Sequence, residues 1–220
     1  MKHFLNAEML AVNVKTFPVD PAIAAEFTDP AQLPGRLISV APKSDKWHSD
    51  IEWISPDDEQ GFAVFESAFE RLGIPQQAAP YVDLDLEVRL YFGFLVTRSR
   101  CTEPYFHHDW HGLNNEAFTV MIPVTTNHSG FGLLYKKATG ETAEYDYRAD
   151  EAIMFGDNFE HSTKPGVADE PVVLLSFEFG TDKMEHWPRI YDRLRKQATC
   201  LRQPDGSFIR TGRDASRIVK

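Results

Sequence analysis

The feature that most constrains the fold is a strict alternation of side chains between residues 88 and 96. Val88, Leu90, Phe92, Phe94 and Val96 are apolar at every second position, which predicts a β-strand with one buried face. Further short strand-like segments follow, separated by Gly, Asn, Asp and Thr: 118–124, 132–136, 143–147, 152–155 and 172–179. With the extended runs around residues 107 and 161, about eight short strands result. This pattern predicts a mainly β chain, most naturally a double-stranded β-helix (a cupin-like jelly roll) with flanking helices.

The segments on either side of these strands predict the flanking structure. Strand-like patterns cover 9–19 and 36–40, and a short helix is expected over 21–27. An amphipathic helix is predicted to follow Ser55 as N-cap, with Pro56 in its first position, and to end at Gly73. A last helix is expected over 188–198. We therefore expect one domain over 1–220, with a core at about 84–180, an N-terminal buttress over 1–83 and a C-terminal helix with a basic tail over 184–220.

Charge and cysteine content exclude several classes of protein. The chain has 220 residues and a formal net charge of −10, which argues against binding to nucleic acid. From residue 189 onward, however, nine Lys and Arg stand against three Asp and Glu. We expect this basic tail to fold back on its own acidic domain. The apolar runs are too short to span a bilayer, no secretory signal is visible, and two cysteines form no disulfide framework, so a cytoplasmic location is predicted.

A histidine two residues before an acid occurs twice in the chain, at His48-Ser49-Asp50 and His107-His108-Asp109. Chance alone predicts about 1.2 such pairs in this composition, so only the context separates them. The second pair follows the alternating strand and precedes a β-rich stretch, whereas His48 is expected to be a surface or interface residue. In an extended chain His107 and Asp109 point to the same side, and His108 points to the other.

A third candidate ligand, His161, follows another strand-like segment at 152–155. Two histidines and one carboxylate on one face of a metal, with the other positions open, suit non-haem Fe(II) and oxygen chemistry. We therefore predict a metal site formed by His107, Asp109 and His161. His111 and His128 are weaker candidates for this third position, because the site needs only one protein ligand beyond His107 and Asp109.

The order His107-x-Asp109, a run of strands and then His161 resembles the Fe(II)- and 2-oxoglutarate-dependent oxygenase superfamily over about 84–180. The resemblance implies a double-stranded β-helix that holds Fe(II), with 2-oxoglutarate and molecular oxygen as co-substrates. It also implies hydroxylation of a C–H bond in a small molecule or an amino-acid side chain, with formation of succinate and CO2. Asp157-Asn158-Phe159-Glu160-His161 is locally similar to the aspartyl/asparaginyl β-hydroxylase branch. That branch lacks the carboxylate of the first pair, so its substrate is not carried over.

One position departs from the family pattern. Most members place an Arg or Lys at the start of the last core strand to bind the distal carboxylate of 2-oxoglutarate, but here that strand begins Asp169-Glu170-Pro171-Val172. Arg98 continues the apolar face of the strand at 88–96 and is our first replacement, with Lys164 and Lys136 in reserve. Trp110, Asn114 and Asn115 lie where family members often cover the substrate.

Two alternatives stay open on the sequence alone. The missing cation favours a cupin-like metal-dependent dioxygenase or isomerase that does not use 2-oxoglutarate. The other is a member of the binding class, a metal-holding or metal-free β-barrel that recognises a small molecule.

Overall fold

The computed structural model describes residues 13–40, 51–125 and 131–219. The predictions for His48, for His128 and for the first part of the strand over 9–19 therefore lie outside the described residues.

Within the described residues the strands are, in chain order, β1 (Val14–Pro18), β2 (Leu37–Val40), β3 (Glu52–Pro56), β4 (Arg89–Cys101), β5 (Ala117–Pro123), β6 (Gly132–Lys136), β7 (Thr142–Asp146), β8 (Glu151–Phe155), β9 (His161–Thr163), β10 (Gly166–Gly180), β11 (Cys200–Arg202), β12 (Phe208–Arg210) and β13 (Arg217–Ile218). The helices are α1 (Pro21–Ala25), α2 (Glu59–Arg71), α3 (Ile74–Ala78) and α4 (Trp187–Leu194), and short 3-10 turns lie at Pro30–Gln32, Ala79–Tyr81 and Met184–His186.

Two antiparallel sheets form the body of the fold. The larger has eight strands in the order β1-β8-β5-β10-β4-β3-β2-β13, and the smaller has three in the order β7-β6-β9. Strands next to each other in these sheets are mostly distant in the chain, as in a sheet wound back and forth between two layers. The prediction of a mainly β double-stranded β-helix is confirmed. The segments expected to flank the core add β1, β2, β3 and β13 to its larger sheet.

The two faces of β10 show how the layers pack. Leu175 and Phe177 belong to the large core under α2, where the rings of Phe69 and Phe177 lie 5.6 Å apart. Leu174, one residue away, belongs to a second cluster that also contains Leu133 of the small sheet. Because side chains alternate along a strand, the residues in register with Leu174 face the space between the two sheets.

Helix α2 begins later than its sequence pattern predicted. Ser55 and Pro56 belong to β3, where Ser55 pairs with Ile38 of β2, so the strand takes the residues expected to start the helix. Asp58 is the N-cap, and its carboxylate accepts a hydrogen bond from the Gly61 N–H at 2.7 Å. The helix ends before Gly73, which has a φ of +69°. No helix of the described residues has the length and hydropathy needed to cross a bilayer.

The basic C-terminal segment folds back on the domain. Strand β13 pairs with β2 at the edge of the large sheet. Arg210 lies 3.1 Å from the carboxylate of Asp57, which is buried, and Arg217 forms an ion pair with Glu52. These contacts match the expectation that the tail meets its own acidic body.

Gly93 marks the closest approach of α2 to β4, and it generates a prediction about stability. A Cβ at this position would lie 2.6 Å from Cδ1 and 2.8 Å from Cβ of Phe65. We expect Gly93→Ala to lower the free energy of unfolding by about 1–3 kcal/mol, because the helix would have to move away from the sheet. Urea denaturation would measure the loss.

The control for this prediction is a double-mutant cycle with Phe65→Ala, which removes Cγ and Cδ1, two of the three atoms that the new Cβ would approach most closely. The combined loss should be smaller than the sum of the two single losses, because both changes act at the same contact. Strictly additive losses would contradict the proposed clash.

Candidate metal centre

A pair of backbone hydrogen bonds brings the two candidate histidine ligands together. The N–H of His107 donates to the carbonyl of His161, and the N–H of His161 donates to the carbonyl of His107, both at 2.9 Å. Residues paired in this way in an antiparallel bridge project their side chains to the same side. The two imidazole rings are accordingly 4.5 Å apart. This bridge adds the segment around His107 to the edge of the small sheet, next to β9.

Both imidazoles are held in the same tautomer. Nδ1 of His107 lies 3.0 Å from the carbonyl oxygen of Tyr105, and Nδ1 of His161 lies 3.1 Å from that of Phe159. A carbonyl oxygen can only accept a hydrogen bond, so each Nδ1 carries the proton. In the neutral imidazole, the form in which histidine binds a metal, Nε2 then carries the lone pair.

Asp109 completes the group. Its Oδ1 lies 3.4 Å from Nε2 of His107, and one ligand atom from each of His107, Asp109 and His161 lies within 4.8 Å of the other two. When the imidazole is neutral, Nε2 and Oδ1 are both acceptors, and two facing acceptors repel each other unless a cation lies between them. The donor set, two imidazoles and a carboxylate, fits a ferrous ion.

His161 is the most deeply buried of the three, with 5% of its surface exposed. Burial is the largest cause that lowers the pKa of His161 to about 4, and the nearby charge of Asp109 opposes it. The imidazole is therefore neutral at physiological pH, so a metal would not have to displace a proton from it.

A buried polar chain fixes the other oxygen of Asp109. Oγ1 of Thr119 lies 3.0 Å from Oδ2 of Asp109, 2.9 Å from Oε2 of Glu178 and 2.9 Å from Nε1 of Trp110. Burial, and next the charge of Asp109, raise the pKa of Glu178 well above its usual range. Glu178 is then a protonated acid, and every group has a partner: Trp110 and Glu178 donate to Thr119, and Thr119 donates its single proton to Asp109. This chain leaves Oδ1 of Asp109 directed toward the histidines.

The three candidate ligands line a cavity of about 520 Å³. His108 lines it too, although strand alternation predicted that it points the opposite way. The reason is that only His107 of this segment forms a β-bridge, so the chain around it is not a regular strand and its side chains need not alternate. His111 is exposed, and its ring lies 5.0 Å from that of His108.

The three cations expected to bind the co-substrate differ in their surroundings. Arg98 is buried, and its guanidinium donates to the carbonyl of Arg100 at 2.8 Å and to Oγ1 of Thr163 at 3.1 Å. Thr163 lines the cavity, so Arg98 lies directly behind its wall. Lys164 forms ion pairs with Glu144 and Asp146, and Lys136 donates to Thr142 and lies 4.7 Å from the ring of Phe106. Neither lysine is among the described residues that line the cavity.

The three residues expected to cover the substrate do not line the described cavity either. Trp110 is 1% exposed, because its indole packs in the core and donates to Thr119. Asn114 and Asn115 have φ values of +52° and +65° and form a tight turn. The carboxylate of Asp157 accepts the N–H groups of Leu113 and Asn114 at 3.2 Å, so it holds this turn in place. Trp110 thus contacts the core, and a role of Asn114 and Asn115 in covering the substrate stays a prediction.

Sequence reasoning missed Thr119 and Glu178, and with them the cations Arg193, Lys196 and Arg213, which also line the cavity. Glu178 carried a signal: it lies in register with Val172 and Leu174 on the inward face of an otherwise apolar strand. The three cations carried no such signal, because their position depends on how the C-terminal segment folds back.

The protonated state of Glu178 generates a prediction. A carboxyl whose pKa is raised on folding contributes stability below its unfolded pKa, and that stability is lost as the pH rises. Gln cannot ionise and still donates to Thr119. Glu178→Gln should therefore become more stable than the parent protein as the pH rises. The difference between their free energies of unfolding should grow by up to about 1.4 kcal/mol per pH unit above about pH 4.3. Urea denaturation from about pH 5 to about pH 8 would measure this.

The matched control is Glu170→Gln, which removes the same formal charge from an exposed position on the same strand. Its stability difference from the parent should stay nearly constant over that range. Parallel curves for Glu178→Gln and the parent would mean that the buried group is ionised.

No protein-family model and no curated protein matches this sequence. Its fold is nevertheless similar to those of several solved enzymes. HygX from Streptomyces hygroscopicus, with nickel and 2-oxoglutarate bound, is 12% identical with a TM-score of 0.56 over 79% of this chain and 84% of its own. The non-haem α-ketoglutarate-dependent carbocyclase SnoK from nogalamycin biosynthesis is 11% identical with a TM-score of 0.59 over 79% and 81%. A 2OG-Fe(II) oxygenase family oxidoreductase from Burkholderia pseudomallei is 12% identical with a TM-score of 0.55 over 78% and 86%.

At these identities the similarity establishes the fold. The chain has the double-stranded β-helix of the Fe(II)- and 2-oxoglutarate-dependent enzymes, and its candidate metal centre lies inside it.

Proposed function

We propose that this protein is a non-haem Fe(II)- and 2-oxoglutarate-dependent oxygenase. The observation that carries the proposal is the convergence of one ligand atom from each of His107, Asp109 and His161, within 4.8 Å of one another and beside one cavity. This donor set, in a fold shared with enzymes of that class, is the one that suits ferrous oxygenases. We further propose that the reaction is hydroxylation of a C–H bond in a small molecule or an amino-acid side chain.

In this proposal His107, Asp109 and His161 hold the metal. Bound Fe(II) would supply the activation of O2, with one oxygen atom oxidising 2-oxoglutarate to succinate and CO2 and the other entering the substrate C–H bond. The residues of the chain provide geometry and a dry environment. The carbonyls of Tyr105 and Phe159 hold a proton on each Nδ1, so that Nε2 is the atom a neutral imidazole offers to the metal, and Thr119 keeps Asp109 turned toward the histidines.

We propose Arg98 as the anchor for the distal carboxylate of 2-oxoglutarate. The family pattern places this cation at the start of the last core strand, where this chain has Val172. Arg98 pairs directly with Val172 across the β4–β10 ladder, so a neighbouring strand supplies the charge at nearly the same place. Its contact with Thr163, two residues beyond His161, supports a carboxylate site beside the metal. Lys164 and Lys136 are weaker candidates, because both contact other groups away from the cavity.

The local similarity of residues 157–161 to the aspartyl/asparaginyl β-hydroxylases does not extend to the substrate. In this chain Asp157 orders the turn after the first ligand pair, a role that any substrate class permits. The proposal therefore leaves the branch of the family open.

The first test is metal binding. The parent protein should bind one equivalent of Fe(II) under anaerobic conditions, and His161→Ala should lose it, because the remaining two ligands cannot hold the ion. The control is His111→Ala, which removes an exposed histidine close to the site. Anaerobic titration followed by iron analysis would measure the stoichiometry, and full iron content in His161→Ala would contradict the ligand assignment.

The second test separates the alternatives. With Fe(II), O2 and no other substrate, the protein should slowly convert 2-oxoglutarate to succinate, a reaction that the family chemistry permits. Iron binding without succinate would favour the cupin-like dioxygenase or isomerase. Absence of both would favour a binding barrel.

The third test concerns Arg98. Arg98→Leu should weaken 2-oxoglutarate binding by about 10- to 100-fold, because a charge-assisted hydrogen bond contributes about 1.5–3 kcal/mol. Arg98→Lys should recover part of the loss, and Fe(II) binding should persist in both variants as evidence of an intact fold. The matched control is Lys164→Leu, which should leave 2-oxoglutarate affinity unchanged. Equal losses in the Arg98 and Lys164 variants would refute the assignment.

A further inference from the structure

The buried part of the cavity lining includes two polar side chains from one strand, Ser176 and Glu178, which we call the polar floor. They lie two residues apart on β10, so both project from its inward face. Both line the cavity, although only 1% of Ser176 and 2% of Glu178 is exposed. Buried polar groups in proteins are nearly always hydrogen-bonded, so the partners of these two side chains decide what the floor can bind.

The polar floor retains hydrogen-bonding capacity that the described residues do not use. Oε2 of Glu178 lies 2.9 Å from Oγ1 of Thr119, but Oε1 of Glu178 has no partner among the described residues. The hydroxyl of Ser176 has no partner among them either. Ser55 on β3 also has a buried hydroxyl without a partner, but it is not among the described residues that line the cavity. The two unused groups of the floor differ from this enclosed hydroxyl because they border space that a ligand can enter.

The neighbouring hydrogen bonds determine which oxygen of Glu178 carries its proton. Oγ1 of Thr119 lies 3.0 Å from Oδ2 of Asp109 and 2.9 Å from Oε2 of Glu178, and its hydroxyl has a single proton. That proton goes to Asp109, the candidate ligand carboxylate, so Glu178 donates through Oε2. Oε1 is then a carbonyl oxygen that only accepts, whereas the Ser176 hydroxyl both donates and accepts. An anionic group at Oε1 would face another acceptor, so the floor favours an uncharged group that supplies a donor.

The position of the floor separates it from the proposed anchor for 2-oxoglutarate. Arg98 pairs with Val172, which precedes Ser176 by four residues, or about 13 Å along an extended strand. Glu178 lies farther along β10 and is joined to the candidate ligands through Thr119. The floor is therefore beside the candidate metal centre but away from Arg98, which leaves it to the prime substrate.

The wall around the floor is apolar. Ser176 pairs with Phe94 of β4 and with Met121 of β5, and both of these side chains line the cavity. Trp53 extends the wall, and its ring lies 6.1 Å from that of Phe94. An apolar group can therefore contact this wall while an adjoining polar group reaches the floor.

We propose that the substrate presents to the polar floor an uncharged group that both donates and accepts hydrogen bonds, a hydroxyl or a primary amide. This group would donate to Oε1 of Glu178 and accept from the hydroxyl of Ser176, while the adjoining apolar part of the substrate contacts Phe94 and Met121. The inference rests on the proposed oxygenase function, because it names the substrate class of the same site. In that function the floor would hold one end of the substrate beside the metal.

The experiment compares three probes of similar size in the metal-free protein, so that none can bind by ligating iron. 2-Phenylethanol and 2-phenylacetamide both donate and accept hydrogen bonds, whereas 2-phenylethyl methyl ether only accepts. Each is titrated by calorimetry up to about 10 mM. The alcohol or the amide should bind at least about 10-fold more tightly than the ether, because the ether leaves Oε1 of Glu178 buried without a partner. The ratio between the alcohol and the amide identifies the preferred group.

Single substitutions then locate the contact. Ser176→Ala should reduce affinity for the preferred probe by about 3- to 10-fold, because one hydrogen bond is lost. Glu178→Met, which has neither oxygen, should bind that probe no more tightly than the parent protein binds the ether. Glu178→Gln should keep the affinity, because its amide nitrogen donates to Thr119 and its carbonyl oxygen still accepts.

The matched control is Ser55→Ala, which removes a buried hydroxyl without a partner from a residue outside the described cavity lining. It should leave the affinity for every probe unchanged. Neither serine substitution should lower the free energy of unfolding of the ligand-free protein, because neither hydroxyl has a partner among the described residues. This expectation distinguishes a binding role of Ser176 from a structural one.

Four results would overturn the inference: equal affinity for all three probes, as expected if the floor binds only water; no binding of the alcohol or the amide; equal losses of affinity in Ser176→Ala and Ser55→Ala; or loss of affinity in Glu178→Gln, as expected of an ionised carboxylate. A Ser176→Ala variant that binds 2-oxoglutarate less tightly, with unchanged affinity for the probes, would also overturn it, because the floor would then serve the co-substrate.

Succinate formation separates this inference from the proposed function. Turnover of 2-oxoglutarate without a preference for the alcohol or the amide rejects the inference alone. A preference that depends on Ser176, without turnover, rejects the oxygenase function and retains the polar floor as a binding site.

Discussion

The candidate centre depends on two hydrogen bonds between the main chains of His107 and His161. These residues are far apart in sequence. The bridge places their side chains on the same side, with the centres of the imidazole rings 4.5 Å apart. Strand β9 is itself held by β6, where Tyr135 pairs with His161, so the small sheet supports the bridge from the other side. Within each segment, a carbonyl two residues earlier sets the imidazole tautomer. The backbone therefore determines both the distance between the rings and the nitrogen that each presents.

The inward face of the large sheet carries buried polar side chains, whose burial costs free energy unless each is hydrogen-bonded. Thr119, Glu178 and the indole of Trp110 form a closed chain of donors and acceptors that ends on Asp109. Burying a carboxyl is tolerated here because it stays protonated and finds an acceptor. The opposite face of the same strand packs Leu175 and Phe177 under α2 and supplies stabilisation. One strand thus serves the core on one side and the candidate site on the other.

The C-terminal segment contributes to both stability and the cavity. Part of its positive charge is paired with the acidic body, through contacts such as Arg210 with Asp57. Other residues of the segment, Arg193 and Arg213 among them, line the cavity. A segment that looks like a simple basic tail in the sequence therefore both pairs with the acidic body and contributes residues to the cavity lining.

The sequence by itself determined the class of fold and the first pair of candidate ligands, because both follow from local periodicity. Alternation over 88–96 marks a strand whatever it pairs with, and the i, i+2 spacing of His107 and Asp109 predicts a shared direction in any extended chain. The tertiary structure alone decided what depends on partners distant in the chain. Pairing with β2 assigned Ser55 to a strand and moved the helix cap to Asp58, and packing placed Trp110 in the core. Register with Val172 put Arg98 behind the cavity wall, and the returning C-terminal segment brought Arg213 into the cavity lining. Such positions are set by hydrogen bonds and contacts between residues remote in sequence, which no local pattern encodes.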